Sequence, residues 1–250
     1  MIAISRKILL PLLLFCLPLS LFAQVTTKTD VTKEDPNLGK KAKILVIPWE
    51  PRMFNCSSDI SHSISTETSQ KYDQIQESLR RGMVDQVKHA FGSTYSVVSL
   101  LDDTAKMKID LHYVYEHTTM SFTPVDFPLN PTKADSAKLK QQSGVQKGQI
   151  EVESADDAEK FMNTIVLNPN LLAYLKKKYN ADYVLFFNEV DLDNDLGSDP
   201  YNVQGKQEFN RIAVLHWTIF KTADGKRVAM GKSKGKFPST VNSPKKIIES

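Results

Sequence analysis

Four aspartates in the C-terminal half of the chain have the spacing of ligands for a hard cation. The set is Asp191, Asp193, Asp195 and Asp199. Carboxylates at the first, third and fifth positions of a loop supply the oxygen atoms that calcium prefers. The match to a calcium loop then fails, because Leu196 replaces the required glycine and Asn202 replaces the bidentate glutamate. Calcium binding is one hypothesis for these residues, and a solvated hairpin tip is the alternative.

Cysteine and histidine side chains offer two other kinds of chemistry. Cys56 is followed by His62, and such a pair makes a nucleophile only if the side chains meet and the pKa of the thiol is low. The alternative is a free thiol that forms an occasional intermolecular disulfide. His112 and His117 are five residues apart, whereas two imidazoles share a helical face at a spacing of four, so the sequence does not favour a zinc site.

The loop after the first apolar strand is the best-placed segment for a contact with a partner. Residues 43–48 form a β-branched run that ends at proline, and open α/β sheets place their sites beyond the carboxyl ends of strands. Aromatic and arginine side chains, which interfaces prefer, follow at once. The predicted contact residues are Trp49, Arg52, Met53 and Phe54. The alternative is that Trp49, Met53 and Phe54 close the end of the sheet as core residues.

A helix that leads into a buried strand anchors the fold prediction. In residues 171–179 the leucines share one face, Asn168 precedes them as a cap and Asn180 suits the left-handed residue that ends the helix. The unbroken apolar run 183–187 is typical of a strand covered on both faces. Residues 69–91 have the spacing of an amphipathic helix and precede a second strand at 95–101, so a right-handed parallel crossover is expected.

The remaining segments complete an α/β prediction. Residues 209–221 and 227–237 flank Asp224-Gly225 and predict an antiparallel hairpin, in which His216 is expected to be a packed, hydrogen-bonded histidine. Residues 161–166 are expected to form a short helix. The predicted fold is a mixed sheet of about five strands with helices packed on it, a parallel βαβ core and a C-terminal antiparallel hairpin.

The N-terminus has the pattern of a secretory signal peptide. Two basic residues precede an apolar run of about 15 residues, shorter than the roughly 20 that span a bilayer, and Ala23 suits cleavage. Lipidation at Cys16 and an uncleaved anchor are the alternatives. We therefore expect a signal peptide at 1–23, a flexible leader at 24–41, and one α/β domain at 42–238. That domain is expected to include a polar insertion at about 119–158 and to precede a tail at 239–250, where Ile247 and Ile248 are candidates for docking.

Charge and cysteine content exclude some classes of function. The formal net charge is +3, and removal of residues 1–23 takes away two positive charges and leaves +1. A nearly neutral chain gives no electrostatic argument for nucleic acid or an anionic membrane. Cys56 is then the one remaining cysteine, so stability must come from packing without an internal disulfide.

Three segments resemble bacterial envelope domains. They are Lys-Ile-Leu-Val-Ile-Pro-Trp at 43–49, the segment 175–185 with Ala-Asp-Tyr-Val, and the turn at 224–226. They are similar to the opening strand, the helix-to-strand segment and the closing hairpin of TolB amino-terminal-type and CsgG/LpoB-like domains. Asn180 stands where these domains often have glycine, and residues 119–158 have no counterpart. The chain also resembles secreted proteins of Bacteroidetes-type bacteria, whose signal peptides often end like Leu-Phe-Ala-Gln.

The resemblance implies a non-enzymatic accessory component of an outer-membrane or cell-wall-associated assembly. Such a protein is exported, is periplasmic or associated with the outer membrane, and works through contacts with an envelope protein. The sequence contains no Gly-rich phosphate loop and no Gly-x-Ser-x-Gly motif, and the mature chain has no predicted transmembrane span. The alternatives are a periplasmic protein that binds a small ligand or a metal and, less favoured, a hydrolase.

Overall fold

The structure is a computed structural model that describes residues 24–29, 42–125, 127–135, 160–195 and 208–250. Of residues 24–29 the structure describes the backbone. The predicted signal peptide, residues 30–41 of the predicted leader, most of the predicted insertion, and Asp199 lie outside the described residues.

The described residues form nine strands and five α-helices. The strands are β1 (Gln24–Thr29), β2 (Lys43–Ile47), β3 (Phe54–Cys56), β4 (Ser96–Ser99), β5 (Thr118–Pro124), β6 (Lys160–Val166), β7 (Tyr183–Asn194), β8 (Asn210–Lys221) and β9 (Arg227–Pro238). The helices are α1 (Ser58–Thr68), α2 (Tyr72–Phe91), α3 (Thr104–Glu116), α4 (Leu171–Tyr179) and α5 (Pro244–Glu249). A short 3-10 turn covers Pro51–Met53.

Seven of these strands form one mixed sheet. Its order is β1-β9-β8-β7-β2-β4, and β3 pairs with the second half of β7. Strand β2 runs parallel to both β4 and β7, whereas β7, β8, β9 and β1 are antiparallel in turn. The predicted α/β fold class, with a parallel βαβ core and a C-terminal antiparallel hairpin, is confirmed.

The sheet has two faces that are covered differently. Paired residues of neighbouring strands point to the same face, so Leu185, Phe187 and Trp217 share the first face, against which the end of α2 packs. Phe186 and Thr218 share the second face. On that second face lies a separate antiparallel pair formed by β5 and β6, which we call the β5–β6 hairpin.

Two helices follow the sequence pattern closely. Helix α2 buries Ile75, Leu79 and Val87 at helical spacing, and it begins at Tyr72 rather than Ser69, because Ser69 is the left-handed cap of α1. Helix α4 ends at Asn180 in the left-handed conformation, as predicted.

Several segments differ from their predictions. Residues 58–68, for which no helix was predicted, form α1 and bury Ile60 and Ile64. Residues 24–29, assigned to a flexible leader, form β1 at the sheet edge beside β9. Residues 118–124, assigned to the polar insertion, form β5, and the predicted short helix at 161–166 is wrong because this segment is β6. In the predicted tail, residues 244–249 form α5, where Ile247 is buried.

Candidate functional site

The loop after β2 places its aromatic side chains in the core. Trp49 is fully buried, and its ring centroid lies 6.3 Å from that of Phe187. Phe54 is also buried and packs against Tyr72 at 5.7 Å. Two of the four predicted contact residues therefore cannot touch a partner, because the end of the sheet needs apolar cover and they supply it.

The other two predicted contact residues lie nearer the surface. Arg52 is exposed and forms an ion pair with Glu50 at 2.8 Å, while Met53 is half-buried against the core. Such an exposed ion pair contributes little to stability. The structure thus does not bring Trp49, Arg52, Met53 and Phe54 together as one exposed patch.

Polar side chains of α2 and α3 form hydrogen bonds to the backbone of this loop. Arg80 Nε donates to the Trp49 carbonyl at 2.9 Å, and Arg80 Nη2 donates to the Tyr115 hydroxyl at 2.6 Å. The Tyr115 hydroxyl donates to the Pro48 carbonyl at 2.8 Å. Burial raises the pKa of Tyr115, so this hydroxyl keeps its proton and stays a donor. These hydrogen bonds attach the loop to α2 and α3.

The aspartates predicted as calcium ligands belong mainly to a regular strand. Asp191 and Asp193 lie in β7, where Asp193 accepts a hydrogen bond from Ser57 Oγ at 2.5 Å. Asp195 follows the strand and pairs with Lys236 Nζ at 2.6 Å. A calcium loop curls around its ion, whereas extended β7 spreads these carboxylates along the strand. Calcium binding stays a prediction. It would be supported if added calcium raised the melting temperature of the wild type and Asp193→Ala abolished that rise.

A different polar cluster surrounds Asp191 on the second face of the sheet. Atoms of Glu189, Asp191 and His216 lie within 4.8 Å of one another, and His216 Nε2 is 3.9 Å from Asp191 Oδ2. Asn55 Nδ2 bridges the carboxylates, donating to Asp191 Oδ1 at 2.7 Å and to Glu189 Oε1 at 3.1 Å. We call these four residues the β7 cluster.

Hydrogen bonding decides the protonation state of His216. Its Nδ1 lies 3.0 Å from the Met162 backbone nitrogen, which can only donate, so Nδ1 must accept. Burial and the charge of Lys232 lower the pKa of His216 to about 4. The neutral ring therefore has its proton on Nε2, facing the carboxylates, and has no Nε2 lone pair to offer a metal. In this arrangement the β7 cluster is a hydrogen-bonding network in which His216 is not free to act as a metal ligand.

Strand β6 is held on the second face by side chains that bond its backbone. His216 Nδ1 accepts from the Met162 amide, and Asn188 Nδ2 donates to the Met162 carbonyl at 2.6 Å. The Thr164 amide donates to Thr218 Oγ1 at 3.3 Å, and Arg227 Nη2 donates to the Thr164 carbonyl at 3.0 Å. We call these four bonds the β6 contacts. They satisfy the edge of β6 that faces away from β5.

Asn188 is available for this role because β7 is irregular at that point. The register of β7 against β8 shifts between Phe187 and Glu189, and such a bulge re-aims a side chain. Asn188 is fully buried, and its Oδ1 also accepts a hydrogen bond from Thr164 Oγ1 at 2.6 Å. Sequence reasoning did not assign Asn188 or Glu189 a role. A polar pair directly after the apolar run 183–187 was the available signal.

The surroundings of Cys56, His112 and His117 do not favour a reactive site. Burial and the charge of Asp59 raise the pKa of Cys56 to about 12, which disfavours the thiolate that a nucleophile requires, and His62 lies exposed on α1. His112 pairs with Glu116 at 3.1 Å on the surface. His117 Nδ1 instead donates to the Tyr113 carbonyl at 2.8 Å, so the two imidazoles serve different partners.

An apolar groove lies on the first face, between the end of α2 and strands β8 and β9. Its floor contains the buried side chains of Leu185, Phe187 and Trp217, and it encloses about 100 Å³. Half-buried side chains at its rim are Ile44, Phe91, Tyr183, Leu215, Ile219 and Val228. Trp217 Nε1 donates to Ser233 Oγ at 3.2 Å, so the indole nitrogen of the groove floor is paired.

The fold and these sites together define a mixed α/β domain with an apolar groove on one sheet face and a polar network on the other. Within the described residues, no helix has the length and apolar character needed to cross a membrane. Neither a family model nor a curated protein matches the chain.

Solved structures give distant matches. The chain is similar to the lipoprotein GNA1162 from Neisseria meningitidis, with 11% identity and a TM-score of 0.33 over 83% of this chain and 90% of that chain. It is also similar to PelC, solved as a dodecamer from Paraburkholderia phytofirmans, with 10% identity and a TM-score of 0.32 over 90% of each chain.

Proposed function

We propose that the chain is an exported protein of the bacterial cell envelope, an accessory component that works through contacts with another envelope protein. Export is supported by the signal-peptide pattern of residues 1–23. The single observation that favours a contact function is the apolar groove on the first face of the sheet.

The groove suits a protein contact because of its composition and shape. Leu215 and Ile219 point to the same face of β8 and are half-buried, and Phe91 of α2 lies beside them. Apolar surface gathered into one concavity is typical of interaction sites, whereas single exposed apolar residues are ordinary. A partner side chain or helix that fills the groove would gain roughly 25 cal/mol for each Å² of apolar surface removed from water.

A non-catalytic role agrees with the chemistry of the one mature cysteine. The raised pKa of Cys56 leaves its thiol protonated at neutral pH, so a hydrolase built on this residue is disfavoured. The predicted contact patch at residues 49–54 is replaced in this proposal by the groove, because Trp49 and Phe54 are buried.

Site-specific photo-crosslinking in intact envelopes tests the proposal. A photoreactive phenylalanine analogue replaces Ile219 at the groove rim or, as a matched control, Ile109, which is 75% exposed on α3 and does not line the groove. We expect one envelope protein to be captured in near-equal amount from position 219 and not from position 109.

Substitution of the rim gives a second test. Leu215→Glu places a charge in the groove and should reduce capture of the partner at least about tenfold, whereas Ile109→Glu should leave capture unchanged. The melting temperatures of both variants must be measured in parallel. Recovery of the wild-type protein alone, without a partner, would contradict the contact function and would favour the periplasmic ligand-binding alternative.

A further inference from the structure

A cavity bounded by α2, α5 and the residues at the end of α1 is separate from the groove and from the β7 cluster. It encloses about 410 Å³, which is within the range of small-ligand sites. None of its lining residues also lines the apolar groove. We call this space the α2–α5 cavity. Its walls include Gln70, Ser78, Gly82, Asp85, Ile248 and Glu249.

One hydrogen-bond acceptor in the wall of the α2–α5 cavity is unsatisfied. Gln70 follows Ser69, the left-handed residue that ends α1, and its Nε2 donates to Ser78 Oγ at 3.1 Å. Gln70 Oε1 is buried, yet it accepts no hydrogen bond from the residues that the structure describes. A buried acceptor without a donor destabilises a fold, so such an atom calls for an explanation. An N–H group of a ligand in the cavity would satisfy it.

Two carboxylates make the cavity rich in acceptors. Asp85 Oδ1 lies 3.9 Å from Lys88 Nζ, and Glu249 Oε1 lies 3.9 Å from Lys245 Nζ. Both distances exceed that of a hydrogen bond, so these carboxylates can still accept from a ligand. Lys88 also pairs with Asp102, and the side chain of Lys245 is 83% exposed. Such exposed ion pairs contribute little to stability, so a ligand cation can replace them.

An alkylammonium group matches this lining. It carries one positive charge and three N–H donors, so it can bond the amide oxygen of Gln70 and a carboxylate at the same time. The methylene groups next to the ammonium can lie against Ile248, which approaches α2 so closely that a Cβ atom at Gly82 would collide with it. A carboxylate or phosphate ligand would instead be repelled by Asp85 and Glu249.

We infer that the α2–α5 cavity binds the primary ammonium group of a small aliphatic amine, with Gln70 Oε1 as the buried acceptor and Asp85 and Glu249 as the charged partners. Diamines, amino acids with an amino side chain, and amino sugars all carry this group. The site goes beyond the proposed contact function, because it takes a small molecule at a surface that the groove does not share.

Titration with a matched pair of probes tests the site. Cadaverine and the diol of the same chain length differ only in their terminal groups, and both are added to the full mature chain at constant ionic strength. We expect cadaverine to shift the nitrogen-15 NMR signals of the Gln70 side-chain amide and of residues 78–86. It should saturate these shifts at a concentration at least about tenfold lower than the diol. Separate titrations with L-lysine and glucosamine distinguish an amino acid or an amino sugar from a diamine.

Two substitutions locate the binding, with a control on the same helix. Gln70→Met keeps the length of the side chain and removes the buried acceptor, and Asp85→Asn removes a charge from a side chain that is 75% exposed. Each should weaken cadaverine binding at least about fivefold. Asp73→Asn removes the same charge from the first turn of α2, at an exposed position outside the cavity, and should leave binding unchanged.

Three results would overturn the inference. The first is that none of the amines saturates the shifts at millimolar concentration, and the second is that cadaverine and the diol bind equally. The third is an equal loss of binding in Asp85→Asn and Asp73→Asn, which would assign the interaction to the overall charge of α2. Melting temperatures of all variants are measured in parallel. Because Asp85 is exposed, its substitution tests the site even if Gln70→Met fails to fold.

Discussion

The parallel core and the β5–β6 hairpin are joined to the molecule by different kinds of contact. In the core, β2 and β7 bury apolar side chains such as Leu45, Val184 and Phe186 in one large hydrophobic cluster. The hairpin meets β7 and β8 through hydrogen bonds of Asn188 and His216 with the backbone of β6, in addition to the burial of Phe161 beside Met230. Apolar burial resists change in pH, whereas hydrogen bonds to titratable groups do not.

Deletion of a core side chain should have the largest effect. Phe186 is 1% exposed and packs edge-on against Phe220 with ring centroids 5.7 Å apart. Phe186→Ala should lower the free energy of unfolding by about 4 kcal/mol, because it removes apolar contacts and leaves a cavity. Chemical denaturation measures the loss. Ile109→Ala, at a 75% exposed position, should change stability by less than about 0.5 kcal/mol, and equal losses would contradict the assigned burial.

The second-largest expected effect is the change in stability with pH. Because the pKa of folded His216 is lowered to about 4 from its ordinary 6.5, the unfolded chain binds a proton between these values that the folded chain does not. Stability is therefore greatest above about pH 6.5 and declines as the pH falls toward about 4, by about 3 kcal/mol at most. Denaturation at several pH values measures this slope.

The matched variant His216→Asn isolates the contribution of the imidazole. Its stability should lack the decline between about pH 6.5 and about 4, although it starts from a lower value because Asn is smaller. An identical slope in the two proteins would assign the pH dependence to other groups. Asp110 also makes stability depend on pH, but below that range. Burial alone would raise its pKa, but hydrogen bonds from Lys178, Tyr179 and Tyr174 lower it, so its stabilisation is lost only at more acidic pH.

Sequence and structure agree where apolar patterning decides the outcome. The helix at 171–179, its end at Asn180 and the buried run at 183–187 follow from residue type and spacing. Residues 161–166 are the opposite case. Apolar residues at positions 161, 162, 165 and 166 have helical spacing, yet the segment is a strand in which Asn163 and Thr164 are fully buried. Their burial depends on polar partners distant in sequence, which local patterning does not contain.

Among the candidate site residues, too, one prediction was confirmed and others were wrong. His216 was expected to be a packed, hydrogen-bonded histidine, and its bond to Met162 confirms this. Trp49 and Phe54 were assigned to a contact patch because of residue type, although large aromatic side chains serve cores as readily as interfaces. The groove could not be predicted, because it arises between a helix end and strands that are distant in sequence.

Loss of one neutral β6 contact should have an intermediate effect. Asn188→Ala removes the donor to the Met162 carbonyl and the acceptor of Thr164 Oγ1, so stability should fall by about 2 kcal/mol. Exchange protection should fall first in residues 160–166. Asn194→Ala provides a control, because it replaces the same residue type at the C-terminal end of β7 and should leave that protection unchanged. A uniform loss over the whole sheet would mean that the hairpin does not open separately.

The smallest expected effect concerns the contact of α5 with α2. A Cβ atom at Gly82 would collide with Ile248 Cδ1, so glycine permits the close approach of α5, even though alanine favours a helix by about 1 kcal/mol. In Gly82→Ala these effects oppose each other, and the net change in stability should be below about 1 kcal/mol.

The double variant Gly82→Ala with Ile248→Ala separates the two effects. Shortening Ile248 removes the collision, so the alanine at position 82 should then be stabilising, with a coupling between the two substitutions of about 1 kcal/mol. Denaturation of the four proteins of this cycle gives the coupling directly. Simple additivity would show that α5 moves aside without cost. The contact would then resemble neither the apolar core nor the β5–β6 hairpin, because neither packing nor hydrogen bonding would fix its position.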